Sequence, residues 1–234
     1  MSSTNKIFLL IIFAFTLSNT TFGQPLVGGH LGLNIASLSG DKNNDETLPR
    51  IGVSPYISLD FHINYILTLE TGIAYSMQGM QRTRITREDL SVYTTETNYK
   101  IDYLIVPVYL KENFTNFYAK MGPYGAYLAN AQELWEKTEN ASGLITNTKG
   151  SNLDFKESIT PYDIGLSIGF GYIYYFDNRR RRRGYRSRRT TRIMQVDLQY
   201  NLGLVSLDQS GNNPDLDVKN RVFSIGVSIN SILD

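Results

Sequence analysis

Cysteine is absent from the 234 residues, which excludes a small disulfide-stapled secreted fold, thiolate metal sites and thiol nucleophiles. Tryptophan occurs once and histidine twice, at His30 and His62, so imidazole chemistry has at most two places to reside. Neither sign of charge is in excess. The formal net charge is +1, and the chain as a whole is neither a polyanion binder nor an acidic tail. Long apolar runs are also missing beyond the N-terminus. Ile7 to Leu17 is apolar for eleven residues, short of the about 20 that a helix needs to span a bilayer. With Lys6 before it and small residues Thr21 and Gly23 after it, this run predicts a signal peptide over residues 1–23, cut before Gln24. No lipidation cysteine follows. The expectation is an exported protein that no helix holds in a membrane, with residues 24–234 forming one domain.

Tyrosine (16), phenylalanine (11) and glycine (19) are plentiful. Aromatics with many glycines and no collagen period point to β-structure. The main signal is period-two alternation. Phe223, Ile225, Val227 and Ile229 alternate with Ser224, Gly226, Ser228 and Asn230. Met194 to Leu204 alternates with Gln195, Asp197, Gln199, Asn201 and Gly203, and Tyr162 to Tyr174 alternates with Asp163, Gly165, Ser167, Gly169 and Gly171. Three further segments, around 27–35, 51–61 and 67–77, repeat the pattern. A helix, with its period of 3.6, cannot place these apolar residues on one face. Two middle segments, Tyr99 to Glu112 and Phe117 to Glu133, are less regular and carry Pro107 and Pro123, which predicts local bends or bulges.

The count is eight strands. The intervening segments alternate in length: about 13 residues (Ser37–Pro49), a tight turn at His62–Ile63, about 20 (Gln78–Asn98), a turn at Asn113–Asn116, about 25 (Leu134–Ser158), the arginine-rich connection, and Ser206–Lys219. Outer-membrane barrels have short periplasmic turns and long external loops. The prediction is therefore an all-β, eight-stranded antiparallel up-and-down transmembrane β-barrel, localised to the outer membrane, monomeric and surrounded by its lipids, with both termini periplasmic.

Alternation alone does not name the solvent, since a soluble sandwich or a lipocalin-like barrel alternates too. The polar side decides for lipid. It is Gly, Ser, Thr, Asn and Gln, which fit the narrow interior of eight strands, whereas a row of Leu, Ile, Tyr and Phe would overfill it. The apolar row then needs an apolar solvent outside, and closure pairs every strand as lipid demands. Phe61, Tyr65, Tyr75, Tyr174 and Phe176 are expected in interfacial girdles.

Several strands carry a family resemblance. Tyr103-Leu104-Ile105-Val106-Pro107-Val108-Tyr109-Leu110-Lys111 resembles a strand of PorT-like outer-membrane β-barrel proteins, and Gly122-Pro123-Tyr124 resembles that family's Gly-Pro-Tyr strand. Gly29 to Gly40 is similar to its first strand, with His30 where Lys is usual, and Glu70 to Gly79 to its third. The resemblance implies an outer-membrane barrel. The family's namesake belongs to a protein-secretion apparatus, and many relatives have no assigned task.

Two constellations stand out. Arg179, Arg180, Arg181, Arg182, Arg183, Arg186, Arg188 and Arg189 fall in one connection that topology assigns to the periplasm. Guanidinium pairs well with phosphate and carboxylate. Its expected partners are phospholipid headgroups, peptidoglycan or an acidic periplasmic protein. Nucleic acid is not expected for an exported barrel. The plain alternative is a solvated charged turn.

The second set is the inward polar residues His30, Glu70, Lys120, Asp163 and Asp197, with Gln195 and Gln199. They are expected to form a hydrogen-bonded plug, because buried charges need partners and eight strands leave no aqueous channel. No cofactor or metal motif is present. A lipid-modifying enzyme would need a histidine beside a serine, and neither histidine is expected at the external rim. The function expected is a structural or interaction role, as an accessory of an envelope or secretion complex. The alternative is adhesion or ligand binding through the external loops.

Overall fold

A computed structural model of the chain describes residues 25–40, 46–88, 91–141, 144–152, 155–176, 192–208 and 218–232. The expected signal peptide and the arginine run both lie outside these residues. Nine strands form one antiparallel sheet: β1 (Leu26–Ser39), β2 (Glu46–His62), β3 (Leu67–Glu88), β4 (Ser91–Phe114), β5 (Phe117–Ala141), β6 (Leu144–Asn152), β7 (Tyr162–Phe176), β8 (Arg192–Gly203) and β9 (Lys219–Ile232). A single helical turn, α1 (Phe155–Ser158), lies between β6 and β7.

Consecutive strands pair, except that β7 pairs with β5, and β1 with β9 closes the ring. Eight strands thus make the barrel. The ninth, β6, hangs on the upper half of β5 alone, from Glu133↔Asn152 to Ala141↔Leu144. We call the end at Leu26 and Ile232, which are partners across β1 and β9, the terminal end, and the opposite end distal.

Side chains divide as the alternation requires. Leu31, Leu33, Ile57, Ile73, Ile164, Leu166, Ile168, Phe170, Ile225 and Ile229 face out and are exposed, whereas Asn34, Ser58, Ser76, Ser167, Asn201 and Ser228 face in and are buried. On β7 the outward row begins at Tyr162 and ends at Tyr172 and Tyr174, so tyrosines flank an aliphatic centre as in an interfacial girdle.

β4 and β5 depart from the expected interior of small polar residues. They send Tyr103, Tyr109, Tyr118 and Tyr124 inward, all buried, while Leu104, Val106, Val108 and Leu110 of β4 face out. The rings of Tyr118 and Tyr124 fit because their cross-strand partners on the neighbouring β7 are glycines. A Cβ at Gly171 would come 2.6 Å from Cζ of Tyr118, and one at Gly165 would come 2.5 Å from Cε1 of Tyr124. The β7 glycines are seats for tyrosine rings.

The prolines interrupt pairing without shifting it. Pairs are missing beside Pro107 and Pro123, but the register is the same on either side. The actual slips lie between Pro49 and Tyr56, and at Asp102/Tyr103. Gly79 sits at this level with φ +132, where a Cβ would also collide with the Tyr99 carbonyl. Arg50 covers the irregularity, donating to the Gln78 carbonyl and meeting Asp102 Oδ1 at 3.4 Å, while the Tyr75 hydroxyl donates to Asp102 Oδ2 at 2.9 Å.

Two of the expected long loops are mostly strand. β3 and β4 run on to Glu88 and from Ser91, and the expected loop from Leu134 to Ser158 is the end of β5, all of β6, and α1. These segments carry Thr, Tyr and Val, which favour strands. Over residues 83–87, 92–98, 134–140 and 145–149 the side chains of both faces are exposed or half-buried, so no apolar alternation marks them.

Candidate functional site

The interior is filled in two layers. Toward the terminal end lies a cluster of charges built from inward positions on five strands. Lys111 and Lys120 are direct partners across β4 and β5, and Asp60 and Glu70 across β2 and β3. Like charges facing each other destabilise a sheet, and here each pair is reconciled by the other. Glu70 bridges both ammonium groups, receiving Lys111 Nζ at Oε2 (3.3 Å) and Lys120 Nζ at Oε1 (3.2 Å). Lys111 also reaches Asp60 Oδ2 at 3.4 Å and Gln195 Oε1 at 3.0 Å, and Lys120 reaches Asp197 Oδ2 at 3.0 Å. Glu70 is wholly buried, at 0 % exposure. Lys111 lies over the ring of Tyr118 (4.3 Å to the centroid), and Lys120 over Tyr109 (5.1 Å).

Above this cluster a cavity of about 60 Å³ is lined by His30, Tyr56, Tyr109, Lys120, Gln199 and Ser224 among others, roughly enough for four waters. Below it, the terminal mouth opens as a vestibule of about 700 Å³, with Asp60, Lys111 and Gln195 lining its inner part and His62, Asn64 and Tyr65 lining it near the β2–β3 turn.

The second layer, toward the distal end, is apolar. Met80, Tyr99, Ile101, Tyr103, Ile105, Leu128 and Ala131 pack with Phe155 and Ile159 of the α1 segment and with Leu207 and Val218. Backbone bonds hold this cover: Leu128 N–H to the Pro161 carbonyl (2.8 Å), Thr160 N–H to Leu207 (2.8 Å) and Leu207 N–H to Val218 (3.0 Å). The rings of Tyr99 and Phe155 lie 5.4 Å apart.

Of the residues singled out in the sequence, Glu70, Lys120 and Asp197 come together in the charge cluster. His30 borders it, sharing a 2.9 Å hydrogen bond with Ser58 Oγ and packing its ring 4.7 Å from Tyr56; Tyr56 in turn donates to Glu70 Oε1 at 3.4 Å. Gln195 is a ligand of Lys111, and Gln199 donates to the Tyr109 hydroxyl at 3.0 Å and to Asn201 Oδ1 at 2.8 Å. Asp163 stands apart, nearer the distal end, where it accepts from Asn220 Nδ2 (3.1 Å), the Val205 N–H (3.4 Å) and the Tyr124 hydroxyl (3.5 Å).

Sequence reasoning missed Lys111 and Asp60. Lys111 closes a strand whose inward and outward sides are both apolar, so nothing marked its side. Asp60 sits on the polar side of a regular alternation, where parity alone did point inward. The pairing of His30 with Ser58 also went unforeseen. Ser58 is 0 % exposed, so its hydroxyl is part of the packing and meets no solvent. Among the described residues, no group of acidic and histidine side chains is arranged to hold a metal ion.

Beyond the ring, the upper parts of β3, β4, β5 and β6 form a four-stranded sheet. Its inner register is continuous, with Glu96 opposite Thr83 and Glu136. A depression of about 410 Å³ on it is lined by Arg82, Asn98, Leu134, Trp135, Lys149 and Gly150 among others.

In comparisons with known proteins, the sequence matches the family described as Outer membrane protein beta-barrel domain over residues 21–209. Solved structures to which it is similar include Neisserial surface protein A (11 % identity, covering 91 % of this chain and 99 % of that one, TM-score 0.38). The attachment invasion locus protein Ail of Yersinia pestis is another (10 %, 89 % and 98 %, TM-score 0.35), as is OprG of Pseudomonas aeruginosa (12 %, 89 % and 96 %, TM-score 0.33). No curated protein matches.

Proposed function

The chain belongs to the outer membrane protein beta-barrel domain family, and from that premise we propose that it is a non-conducting barrel that anchors a sheet for contacts with other proteins at the cell surface. One observation carries this reading. The interior is blocked twice, by a charge cluster and by an apolar cover, while three strands continue past the barrel and are joined by β6 in a sheet that the ring does not need. Within the family, the strand motifs around Pro107 and Pro123 favour the PorT-like branch.

The same geometry supports a non-enzymatic role. Among the described residues, the one histidine–serine pair, His30 with Ser58, lies in the packed interior, where a lipid or peptide bond cannot reach it. The arginine connection between β7 and β8 is a second contact in this proposal. It would meet anionic groups on the periplasmic side, where the orientation expected from loop lengths puts it.

The test has two arms. Planar-bilayer recordings on the purified full chain are expected to show no steady conductance, and currents of porin size would refute the plugged barrel. Shortening the β5–β6 hairpin, by removing residues 136–149, should leave a heat-modifiable barrel that no longer binds surface partners. Unchanged binding by that variant would refute the role of the sheet.

A further inference from the structure

The four-stranded sheet has two edges, and they differ. On one side β2 accompanies β3 only as far as Thr83, and the remaining edge segment is Arg84-Ile85-Thr86-Arg87-Glu88. It is five residues long and mostly charged, which is how natural proteins keep an edge from pairing. On the other side stands β6, Leu-Ile-Thr-Asn-Thr-Lys-Gly-Ser-Asn, nine residues long. It pairs with β5 through nine partners without a register break, so no bulge turns it aside. It contains no proline. Its single charge, Lys149, is engaged across the strand with Glu136 at 2.9 Å. Residues 145–149 are all exposed, and among the described residues no other strand lies beside it.

A β-strand paired on one side aims the N–H and C=O groups of alternate residues at the other. Such a row binds an extended chain, whose backbone supplies the matching donors and acceptors. The only tryptophan in the protein, Trp135, sits opposite Gly150. Its indole packs so closely over that residue that a Cβ there would collide with the ring. The glycine lets an aromatic surface extend across β6 toward its free side, where it would contact a chain added there.

We propose that β6 is a docking edge which takes an extended segment of another polypeptide as a fifth strand of the sheet. This rests on the reading that the sheet is a contact surface, and it names the edge and the chemistry of the partner.

A second copy of the chain is the natural competitor, and membrane symmetry disfavours it. Antiparallel pairing of two β6 strands needs a two-fold axis perpendicular to them. Copies inserted the same way into one membrane are related by an axis along the membrane normal. Barrel strands are tilted about 35–45° from that direction, so two β6 strands related by such an axis would cross at about 70–90° and could not pair. The partner is therefore a different chain. The edge carries Ile145, Thr146 and Thr148 and a single charge that is paired across the strand, which suits a segment rich in β-branched residues and poor in charge.

The experiment uses the full chain in lipid nanodiscs. Twelve-residue peptides are selected from a random displayed library, with counter-selection against the hairpin-shortened barrel, and binding is read from Trp135 fluorescence. Amide hydrogen exchange then locates the peptide. Protection is expected at alternate residues within 145–151. Thr146→Pro and Asn147→Pro supply the decisive contrast, because adjacent residues aim their N–H groups to opposite sides. The variant that keeps its β5–β6 protection has lost an edge N–H, and it should bind at least tenfold more weakly. Arg87→Pro, on the charged edge, should bind as the parent does. Selection of no peptide dependent on β6, protection elsewhere on the barrel, or β6-dependent self-association in place of peptide binding would overturn the inference. If hairpin removal abolishes partner binding while neither proline affects it, the contact-surface reading stands and the edge proposal falls.

Discussion

Lys120→Met tests whether the barrel is held shut by its charges. Lys120 is buried and joins Glu70 to Asp197 at 3.2 and 3.0 Å. Methionine is close in volume, so the packing over Tyr109 largely survives and the change is chiefly one of charge. Asp60 and Glu70 would then share Lys111 alone, and Asp197 would lose its ammonium partner. Removing one member of a buried pair typically costs about 3–5 kcal/mol, because the remaining charge is left uncompensated in a medium that solvates it poorly. That corresponds to a drop of roughly two to three and a half decades in the folding equilibrium constant. Lys149→Met is the matched control. Its bond to Glu136 is as short, at 2.9 Å, but the side chains are 72 % and 37 % exposed, and exposed pairs are worth about 0–1 kcal/mol. Both variants would be unfolded by urea in lipid vesicles, with the folded fraction read from the band that migrates differently without heating. Adding Asp197→Asn to Lys120→Met should recover part of the loss. Equal and small losses in Lys120→Met and Lys149→Met would refute the idea that the interior charges form an interdependent, buried plug.

Two further expectations concern the outer face and the arginine turn. Ile168 lies in the middle of the outward row of β7 and is 57 % exposed in the absence of lipid; Ile168→Arg should destabilise the vesicle-inserted barrel by about 2–4 kcal/mol, as cations at mid-bilayer positions do, and a neutral result in the same urea titration would mean that this face does not meet hydrocarbon. A cysteine placed at Gly184 should resist impermeant thiol reagents in intact cells and react once the envelope is opened, and replacing the eight arginines should weaken salt-sensitive retention on anionic vesicles, since exposed charges are screened within about 8–10 Å; labelling in intact cells would reverse the orientation.

How far the sequence could be read depended on what each face of a strand touches. In β1, β2 and β7–β9 one side meets lipid and the other a packed polar interior, so Leu31, Leu33 and Ile35 alternate visibly with Gly32, Asn34 and Ala36. In β4 the contrast disappears, because Ile101, Tyr103 and Ile105 fill the barrel while Leu104, Val106 and Val108 face lipid. β6 was illegible for the opposite reason: both its faces meet water, and Thr146, Asn147 and Thr148 look like a loop. The members of the charge cluster were partly readable from parity, as with Glu70, Lys120 and Asp197. Parity says which way a residue points but not its height in the barrel. Height depends on the strand stagger, which is why Asp163, inward like the others, ends among Tyr124, Val205 and Asn220 instead.

The same stagger separates what anchors the protein from what it displays. Ring closure through β5 uses Phe117 to Tyr127 against β7, a span of about the 9–11 residues that crosses a bilayer. Beyond it β5 continues to Ala141, paired to β4 on one side and β6 on the other. Past Leu128 and Ala131, which belong to the apolar cover, residues 132–140 close no barrel and their side chains are exposed or half-buried. Solvated strands of this kind contribute modestly to stability, while each extra residue still costs conformational entropy to order. An isolated hairpin is marginal in water, whereas three or more strands rooted in a folded support can persist. The barrel supplies that root, since β3, β4 and β5 enter the sheet already aligned by the ring. The length of these strands is thus poorly explained by insertion or by closure of the pore. It is explained if their purpose is to hold a rigid surface, with β6 at its margin, clear of the membrane.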